Sequence, residues 1–167
     1  ETRFTSINFI NTFNCLSVTS FTEFLQGILE LRDKWSKESQ YAMGWEVPEQ
    51  RIWFDIPLLR APAWQSVHVL PSEYCDYMQE AIQFMEDNKA TEDYVDYRGF
   101  KDFEIAKAKR NLDIMKQDID SDKLRRDRAD FFKFFSEHDA RRDTNFLATF
   151  PEMHQFWQQC EEANALL

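Results

Sequence analysis

The chain has 167 residues, of which 43% are hydrophobic and 30% are charged, and its formal net charge is -10 at pH 7. This length suits one domain, or a small α/β piece with a helical extension, and the hydrophobic content is enough for a core. The excess of 30 acidic over 20 basic residues argues against non-specific binding to nucleic acid or anionic membranes, because phosphate contacts need positive surface.

The first predicted element is a strand over residues 4–13. It carries apolar residues on both faces, which is typical of a parallel strand that is covered on both sides. These residues are Phe4, Ile7, Phe9, Ile10 and Phe13. Asn8, Asn11 and Asn14 punctuate the segment and are expected to mark its C-terminal end.

A helix is predicted over residues 20–35, because Ser20 and Glu23 fit a capping box and an apolar stripe follows at helical spacing. The stripe consists of Phe24, Leu25, Ile28, Leu29, Leu31 and Trp35. Residues 36–49 read as a polar loop broken by Gly44 and Pro48. A second strand is predicted over residues 52–59, with Pro57 at its end or on an edge.

Four helices are predicted in the rest of the chain, over residues 71–87, 100–119, 122–138 and 150–163. The first carries Tyr74, Met78, Ile82 and Met85 on one face, and the second carries Phe103, Ala106, Leu112 and Met115. The third is rich in phenylalanine between Phe131 and Phe135. Thr149 and Glu152 fit a second capping box, with Pro151 in the first turn of the last helix.

This order of elements predicts an α/β fold. Strand, helix and strand make a βαβ unit with parallel strands, and a mostly helical C-terminal region follows. We place the boundary between the two parts after residue 88, so that residues 1–88 hold the strands and residues 89–167 form the helical extension.

Few residues carry a recognisable chemical motif. The three cysteines, Cys15, Cys75 and Cys160, form no CxxC pair and no disulfide scaffold is expected. The histidines form no HExxH or Glu-x-x-His pair, so a histidine-centred metal site is not predicted. No apolar run approaches the ~20 residues of a membrane helix. A cytoplasmic protein is expected.

The position of some polar residues at the ends of the predicted strands makes them candidate ligand contacts. In parallel α/β sheets, ligands bind outside the carboxyl ends of the strands. The polar residues at these ends are Asn11, Thr12, Asn14, Asp55 and Arg60. Two readings of Asn11 and Asn14 stay open: they contact a ligand, or they only form turns. Cys15 is read as a small buried residue, and the basic run 123–128 as a solvated helix face.

Three passages resemble the C-terminal part of radical S-adenosylmethionine proteins of the twitch-domain type. INFINTFNCLSVTSFTEFLQGILELR is similar to a late barrel strand, a polar turn and the following helix. RIWFDIPLLRAPAWQSVHVLPSEY is similar to the next strand and its apolar loop. FFKFFSEHDARRDTNFLATFPEM resembles the family's tail, with Asp-x-x-Arg, Asn-Phe and Phe-Pro-Glu.

The resemblance implies a partial (β/α) barrel that binds S-adenosylmethionine and a 4Fe-4S cluster. In the family, the cluster reductively cleaves S-adenosylmethionine to a radical that abstracts hydrogen from a substrate. It also implies that Asn11 and Asn14 approach the nucleoside. The cluster-binding CxxxCxxC is not in this sequence, so the chain is expected to be a fragment that is not catalytic alone and binds neither cofactor by itself.

The expected partners are therefore the N-terminal half of the barrel and a peptide or small-molecule substrate. The alternative is a non-catalytic α/β-helical interaction module, whose aromatic helix between Phe131 and Phe135 docks a protein partner. A CxxxCxxC motif encoded within the preceding ~200 residues, roughly the rest of a barrel, favours the enzyme, whereas a stop codon or an unrelated domain there favours the module.

Overall fold

The computed structural model describes residues 6–35, 39–40, 46–47, 51–91 and 98–167. The first part of the chain forms strand β1 (Ile7–Ile10), helix α1 (Phe21–Trp35) and strand β4 (Ile52–Asp55). Two short strands, β2 (Ser39–Gln40) and β3 (Glu46–Val47), lie between α1 and β4. The remaining helices are α2 (Cys75–Asp87), α3 (Asp102–Met115), α4 (Ser121–Arg142), α5 (Phe146–Thr149) and α6 (His154–Ala165).

β1 and β4 pair in parallel, with Ile7 opposite Ile52 and Ile10 opposite Asp55. The predicted βαβ unit with parallel strands is confirmed, and the chain is a mixed α/β protein with a mostly helical C-terminal region. Both strands are shorter than expected. Beyond them the pairing continues as a single bridge between Phe13 and Leu58, and Phe13 N donates to Pro57 O at 2.7 Å.

The prediction that β1 is covered on both faces is wrong for the residues that the structure describes. Ile7 is 50% exposed and Ile10 is 67% exposed. In β4, by contrast, Ile52 and Phe54 are buried, because α1 packs on that strand. Phe4, the first residue of the predicted strand, lies outside the described residues.

The predicted polar loop over residues 36–49 contains secondary structure: β2 and β3 pair antiparallel. Gly44 and Pro48 lie outside the described residues. The start of α1 agrees with the sequence, since the Ser20 carbonyl accepts the first helical hydrogen bond, from Phe24 N at 3.1 Å.

The buried face of α1 differs from the predicted stripe at its end. Trp35 is exposed, and Arg32 takes the next buried position after Phe21, Leu25 and Ile28. In α2 the predicted face is confirmed, because its apolar residues are buried. These are Tyr74, which precedes the helix, and Met78, Ile82 and Met85.

The predicted face of α3 is wrong at Phe103 and Ala106, which are exposed. The buried positions are Ile105, Ala108 and Leu112. The physical reason is Glu104, which binds Arg32 inside the protein and so fixes the rotation of the helix.

The second capping box is also wrong. Thr149 ends α5, and its hydroxyl donates to Asn145 O at 3.3 Å. The Glu152 carboxylate instead accepts from the Thr19 hydroxyl at 2.9 Å. A 3₁₀ turn (Pro151–Met153) precedes α6, and its N-cap residue is Phe150.

One hydrophobic cluster runs through the described residues, from Phe13 to Cys160. Its C-terminal part is aromatic: Phe131 is fully buried, 4.9 Å from Phe156 and 5.5 Å from Phe146 between ring centroids. α4 and α6 form the most extensive helix pair of the fold. No helix formed by the described residues is long and apolar enough to cross a membrane.

A buried ion pair joins the βαβ unit to the helical region. Arg32 is 0% exposed and Glu104 is 1% exposed, and their two parallel hydrogen bonds measure 2.6 and 3.2 Å. Arg32 also donates to Ile52 O at 3.2 Å and to Gly99 O at 3.0 Å. The guanidinium carbon lies 5.6 Å from the Phe54 ring centroid.

We expect Arg32→Met to destabilise the protein by about 3–5 kcal/mol, because it leaves the Glu104 charge buried without its partner. Arg32→Met combined with Glu104→Leu should lose less than the single variant, since no charge then remains inside. Urea unfolding of the three proteins measures these differences.

The matched control is the exposed pair formed by Lys109 and Glu86 at 2.6 Å. Lys109→Met should cost less than about 1 kcal/mol, because solvent screens an exposed ion pair. Equal losses for Arg32→Met and Lys109→Met would contradict the role assigned to the buried pair.

The two described glycines, Gly27 and Gly99, provide a second test. A Cβ atom at Gly99 would lie 2.4 Å from Ala90 N and 2.6 Å from Ala90 Cα, whereas a Cβ at Gly27 meets nothing within 4 Å. Gly99→Ala should therefore destabilise the protein by about 1–3 kcal/mol through overpacking. Gly27→Ala, inside α1, should stabilise it by about 0.5–1 kcal/mol. Thermal melts that show the same sign for both variants would refute this reading.

Candidate functional site: a cleft beyond strand β4

The polar residues after β1 support a turn. Asn14 Oδ1 accepts from Leu16 N at 2.9 Å, and its Nδ2 donates to Thr12 O at 2.8 Å. The Ser17 hydroxyl donates to Asn14 O at 2.9 Å. The Asn14 side chain thus forms the local turn that Asn commonly forms.

Asn11 is half-buried, and its backbone N–H donates to Asp55 O at 2.9 Å. The loop that follows β1 also contacts the loop that follows β4, since Cys15 N donates to Gln65 O at 3.0 Å. The carboxyl ends of the two strands therefore lie together, as parallel pairing requires. The approach of Asn11 and Asn14 to a nucleoside stays a prediction.

Asp55, at the end of β4, is held by an ion pair. Its Oδ1 accepts from Lys107 Nζ at 2.7 Å and from Ile56 N at 2.8 Å. The hydrogen bond from Lys107 lowers the pKa of Asp55 below its ordinary value. Asn111 Nδ2 donates to Ile56 O at 3.1 Å, so α3 is fixed to the strand end at two neighbouring points.

Arg60, one of the predicted strand-end residues, lines a cleft. The cleft has a volume of about 380 Å³ and lies between the segment after β4, the end of α3 and the first turn of α4. Its lining residues are Leu58, Arg60, Ala63, Ser66, His68, Ile114, Gln117 and Lys123. None of them is acidic, although the chain as a whole has 30 acidic residues.

His68 brings a shielded polar atom to the cleft. Its Nδ1 is shielded from solvent and has no hydrogen-bond partner within the described part of the chain. Burial, together with the nearby Lys123 charge, lowers the pKa of His68 below its ordinary value. This shift favours the neutral form of the imidazole.

Lys123 belongs to the basic run 123–128, which was predicted to be a solvated helix face. Lys123 pairs with Asp127, and Arg125 pairs with Asp122, so acidic neighbours at helical spacing balance the run as expected. Arg128 differs, because its Nε donates to Val69 O at 2.8 Å and ties α4 to the loop that lines the cleft.

Sequence reasoning did not single out Ser66, Gln117 or Lys123 as members of one site. They come from three separate segments, and no spacing rule connects them. The signal that was available is the proline-broken loop between β4 and α2, which stays apolar while it holds Ser66 and His68. An apolar loop of this kind packs against the core, so its polar residues line a cleft instead of facing bulk solvent.

A larger open groove of about 800 Å³ lies on α4 and the end of α6, lined by residues such as Phe134, His138 and Arg142. It is an open surface depression, and its described lining residues all belong to these two helices. The smaller cleft is lined by residues from several elements. It lies beyond the end of a parallel strand, where α/β proteins commonly bind ligands.

The described residues contain no cluster of three His, Cys, Asp or Glu side chains that could hold a metal ion. All three cysteines are free and buried, which confirms the reading of Cys15 as a small buried residue. Burial raises the pKa of Cys160 to about 12 and raises those of Cys15 and Cys75 above their ordinary range.

No family model matches this chain, and no curated protein or solved structure is similar to it by the comparisons made.

We expect Asp55→Asn to lower the free energy of unfolding at pH 7 by no more than about 1 kcal/mol, because the ion pair with Lys107 is partly exposed. The folded-state pKa of Asp55 lies below the unfolded value of about 3.9. The pair therefore contributes stability above that value, and the contribution is lost as the pH falls through the folded-state pKa.

Urea unfolding of wild type and Asp55→Asn between pH 3 and pH 7 tests this expectation. The difference should be largest near pH 7 and should shrink below about pH 4. Asp113→Asn, which removes an exposed carboxylate of the same helix as Lys107, is the control and should show no such trend. A difference that grows on acidification would contradict the assignment.

Proposed function

We propose that this chain is the C-terminal part of a radical S-adenosylmethionine enzyme of the cytoplasm. In this proposal β1 and β4 are late strands of a partial (β/α) barrel, and α3 to α6 form the flank that faces the substrate or a protein partner. The parallel β1–α1–β4 unit supports the proposal, because a barrel is built from such units. The order of the three similar passages supports it as well.

The observation that carries the proposal is the exposed apolar strand β1. Ile7 and Ile10 project from opposite faces and are both at least half exposed. Among the described residues β1 pairs only with β4, and its other edge has no strand beside it within that part of the chain. An unpaired strand edge and exposed apolar side chains both promote self-association of a protein. Further barrel strands and helices would cover both the edge and these side chains.

The residues of this chain do not fit a 4Fe-4S cluster. The described residues hold no metal-ligating cluster, and the raised pKa values of the buried thiols oppose the thiolate form that binds iron. The proposal therefore assigns cluster binding and radical generation to the other half of the barrel. It assigns no catalytic residue here and leaves Asn11 and Asn14 as the candidate contacts to S-adenosylmethionine.

The tail passage has a structural role that the proposal must accommodate. The Asp139 carboxylate accepts from the Thr144 hydroxyl at 2.8 Å and from Phe146 N at 2.7 Å, which closes the end of α4. Asn145 caps α5 by accepting from Ala148 N at 2.9 Å. These residues dock the last helices onto the fold, so a chain of this family would retain them for packing.

The alternative, an interaction module that uses the aromatic part of α4, finds less support. Phe131 is fully buried, and Phe132 and Phe135 are half-buried against Trp157 and Phe146. Phe134 is 45% exposed, but it packs on Trp64 at 4.4 Å between ring centroids. Most of the aromatic surface of α4 is thus used inside the fold.

The direct test is the protein encoded by this gene together with the ~200 codons upstream, the length needed to complete a barrel of this class. Purified anaerobically and reconstituted with iron and sulfide, it should contain a cluster bound through CxxxCxxC. With a reductant it should then cleave S-adenosylmethionine to 5′-deoxyadenosine. An upstream sequence without CxxxCxxC, or a reconstituted protein that releases no 5′-deoxyadenosine, would reject the proposal.

The 167-residue chain alone should self-associate, because β1 exposes its edge and Ile10. Ile10→Lys should increase the fraction of monomer in sedimentation velocity, since a charge on an edge strand opposes strand pairing. The control is Phe103→Lys, which places the same charge at an exposed apolar residue of α3.

A wild-type chain that sediments as a stable monomer would remove the support that β1 gives to the proposal. Equal effects of Ile10→Lys and Phe103→Lys would show that association is a property of general surface hydrophobicity and not of β1.

A further inference from the structure

We propose that the cleft beyond β4 binds the phosphate group of a small phosphorylated ligand, with Arg60, Lys123, Ser66 and Gln117 as donors and His68 as a fifth contact. The inference concerns the cleft of this chain and stands without the radical S-adenosylmethionine proposal. Nothing in the similar passages assigns a ligand to these residues.

The composition of the cleft favours an anion. Arg60 and Lys123 are its cationic residues, and Lys123 also pairs with Asp127 on its own helix. Ser66 and Gln117 bring neutral donors, and none of the described lining residues is acidic. Arg60 forms no ion pair within the described part of the chain, so its guanidinium is available for a bidentate contact. Such a concentration of donors is unexpected in a protein with a formal net charge of -10.

His68 indicates that the cleft is a site and not merely a gap. Its Nδ1 has no hydrogen-bond partner among the residues that the structure describes, and an unpaired polar atom in a shielded position is costly. A ligand in the cleft would supply an acceptor or donor to the imidazole that lines it. The charged groups that act on His68 are Lys123, which lowers its pKa, and Asp127, which raises it. A bound dianion would add to the effect of Asp127.

The number of donors distinguishes phosphate from carboxylate. A carboxylate has two oxygens, whereas a phosphate monoester offers three terminal oxygens and close to two charges at pH 7. Five donor groups from the loop after β4, the end of α3 and the start of α4 match the larger anion. The volume of about 380 Å³ also leaves room for the organic part of a small ligand.

The experiment labels the three histidines of the chain with ¹⁵N and follows each imidazole by NMR. Inorganic phosphate is the probe, and acetate at equal ionic strength is the comparison. Phosphate should raise the pKa of His68 in a saturable way, because a nearby anion favours the imidazolium. His138 and His154, which do not line the cleft, serve as internal references.

Arg60→Met should weaken phosphate binding at least about tenfold, since it removes the bidentate contact. Arg126→Met, which removes an exposed arginine of α4 outside the cleft, should leave the affinity unchanged. Circular dichroism melts verify that both variants are folded, and Lys123→Met provides a second cleft variant.

Three results would overturn the proposal. The first is a His68 pKa that does not respond to phosphate. The second is an acetate response as strong as the phosphate response, which would replace phosphate by a carboxylate. The third is equal phosphate affinity in wild type, Arg60→Met and Lys123→Met, which would place any bound phosphate elsewhere.

Discussion

The fold depends on the ion pair between Arg32 and Glu104. An arginine in the interior requires a partner for its charge and acceptors for its remaining N–H groups. Here the partner comes from α3, one acceptor comes from β4 and another from Gly99. Glu104 in turn accepts from Lys101 N at 2.9 Å. Three segments that are distant in sequence, namely α1, β4 and the start of α3 with Gly99 before it, must therefore be in place together.

This requirement explains the position of the candidate cleft. The ion pair sets the rotation of α3, and the contacts of Lys107 with Asp55 and of Asn111 with Ile56 extend the same docking along the helix. The C-terminal end of α3 is thereby held beside the loop that follows β4, where Gln117 and Ser66 line one cleft. The buried Glu104 near the start of α3 thus helps to position Gln117, which follows the end of the same helix.

Sequence reasoning recovered the elements whose pattern is local. The parallel βαβ unit, the start of α1 at Ser20 and the buried face of α2 follow from apolar spacing and capping chemistry, and they are confirmed. The failures all involve contacts between distant residues. Phe103 was assigned to the buried face of α3 because it is apolar, but Glu104 decides the rotation. Glu152 fits a capping box with Thr149, but Thr19, far away in the sequence, competes for its carboxylate.

The candidate cleft could be predicted only in part for the same reason. Arg60 follows a parallel strand, and the strand-end rule singled it out. His68 was considered only as a metal ligand, since no local pattern shows that its Nδ1 is shielded and unpaired. Ser66, Gln117 and Lys123 meet only after α3 and α4 have docked.

The docking of α6 has a consequence for biosynthesis. Phe156 and Cys160 are fully buried in the same cluster as Phe13 and Phe21, so the core cannot close until α6 has emerged from the ribosome. At elongation rates of roughly 5–20 residues per second, the nascent βαβ unit spends several seconds without its last helices. During that interval Cys15 lacks its neighbour Cys160, and a nascent-chain chaperone has a defined apolar surface to bind.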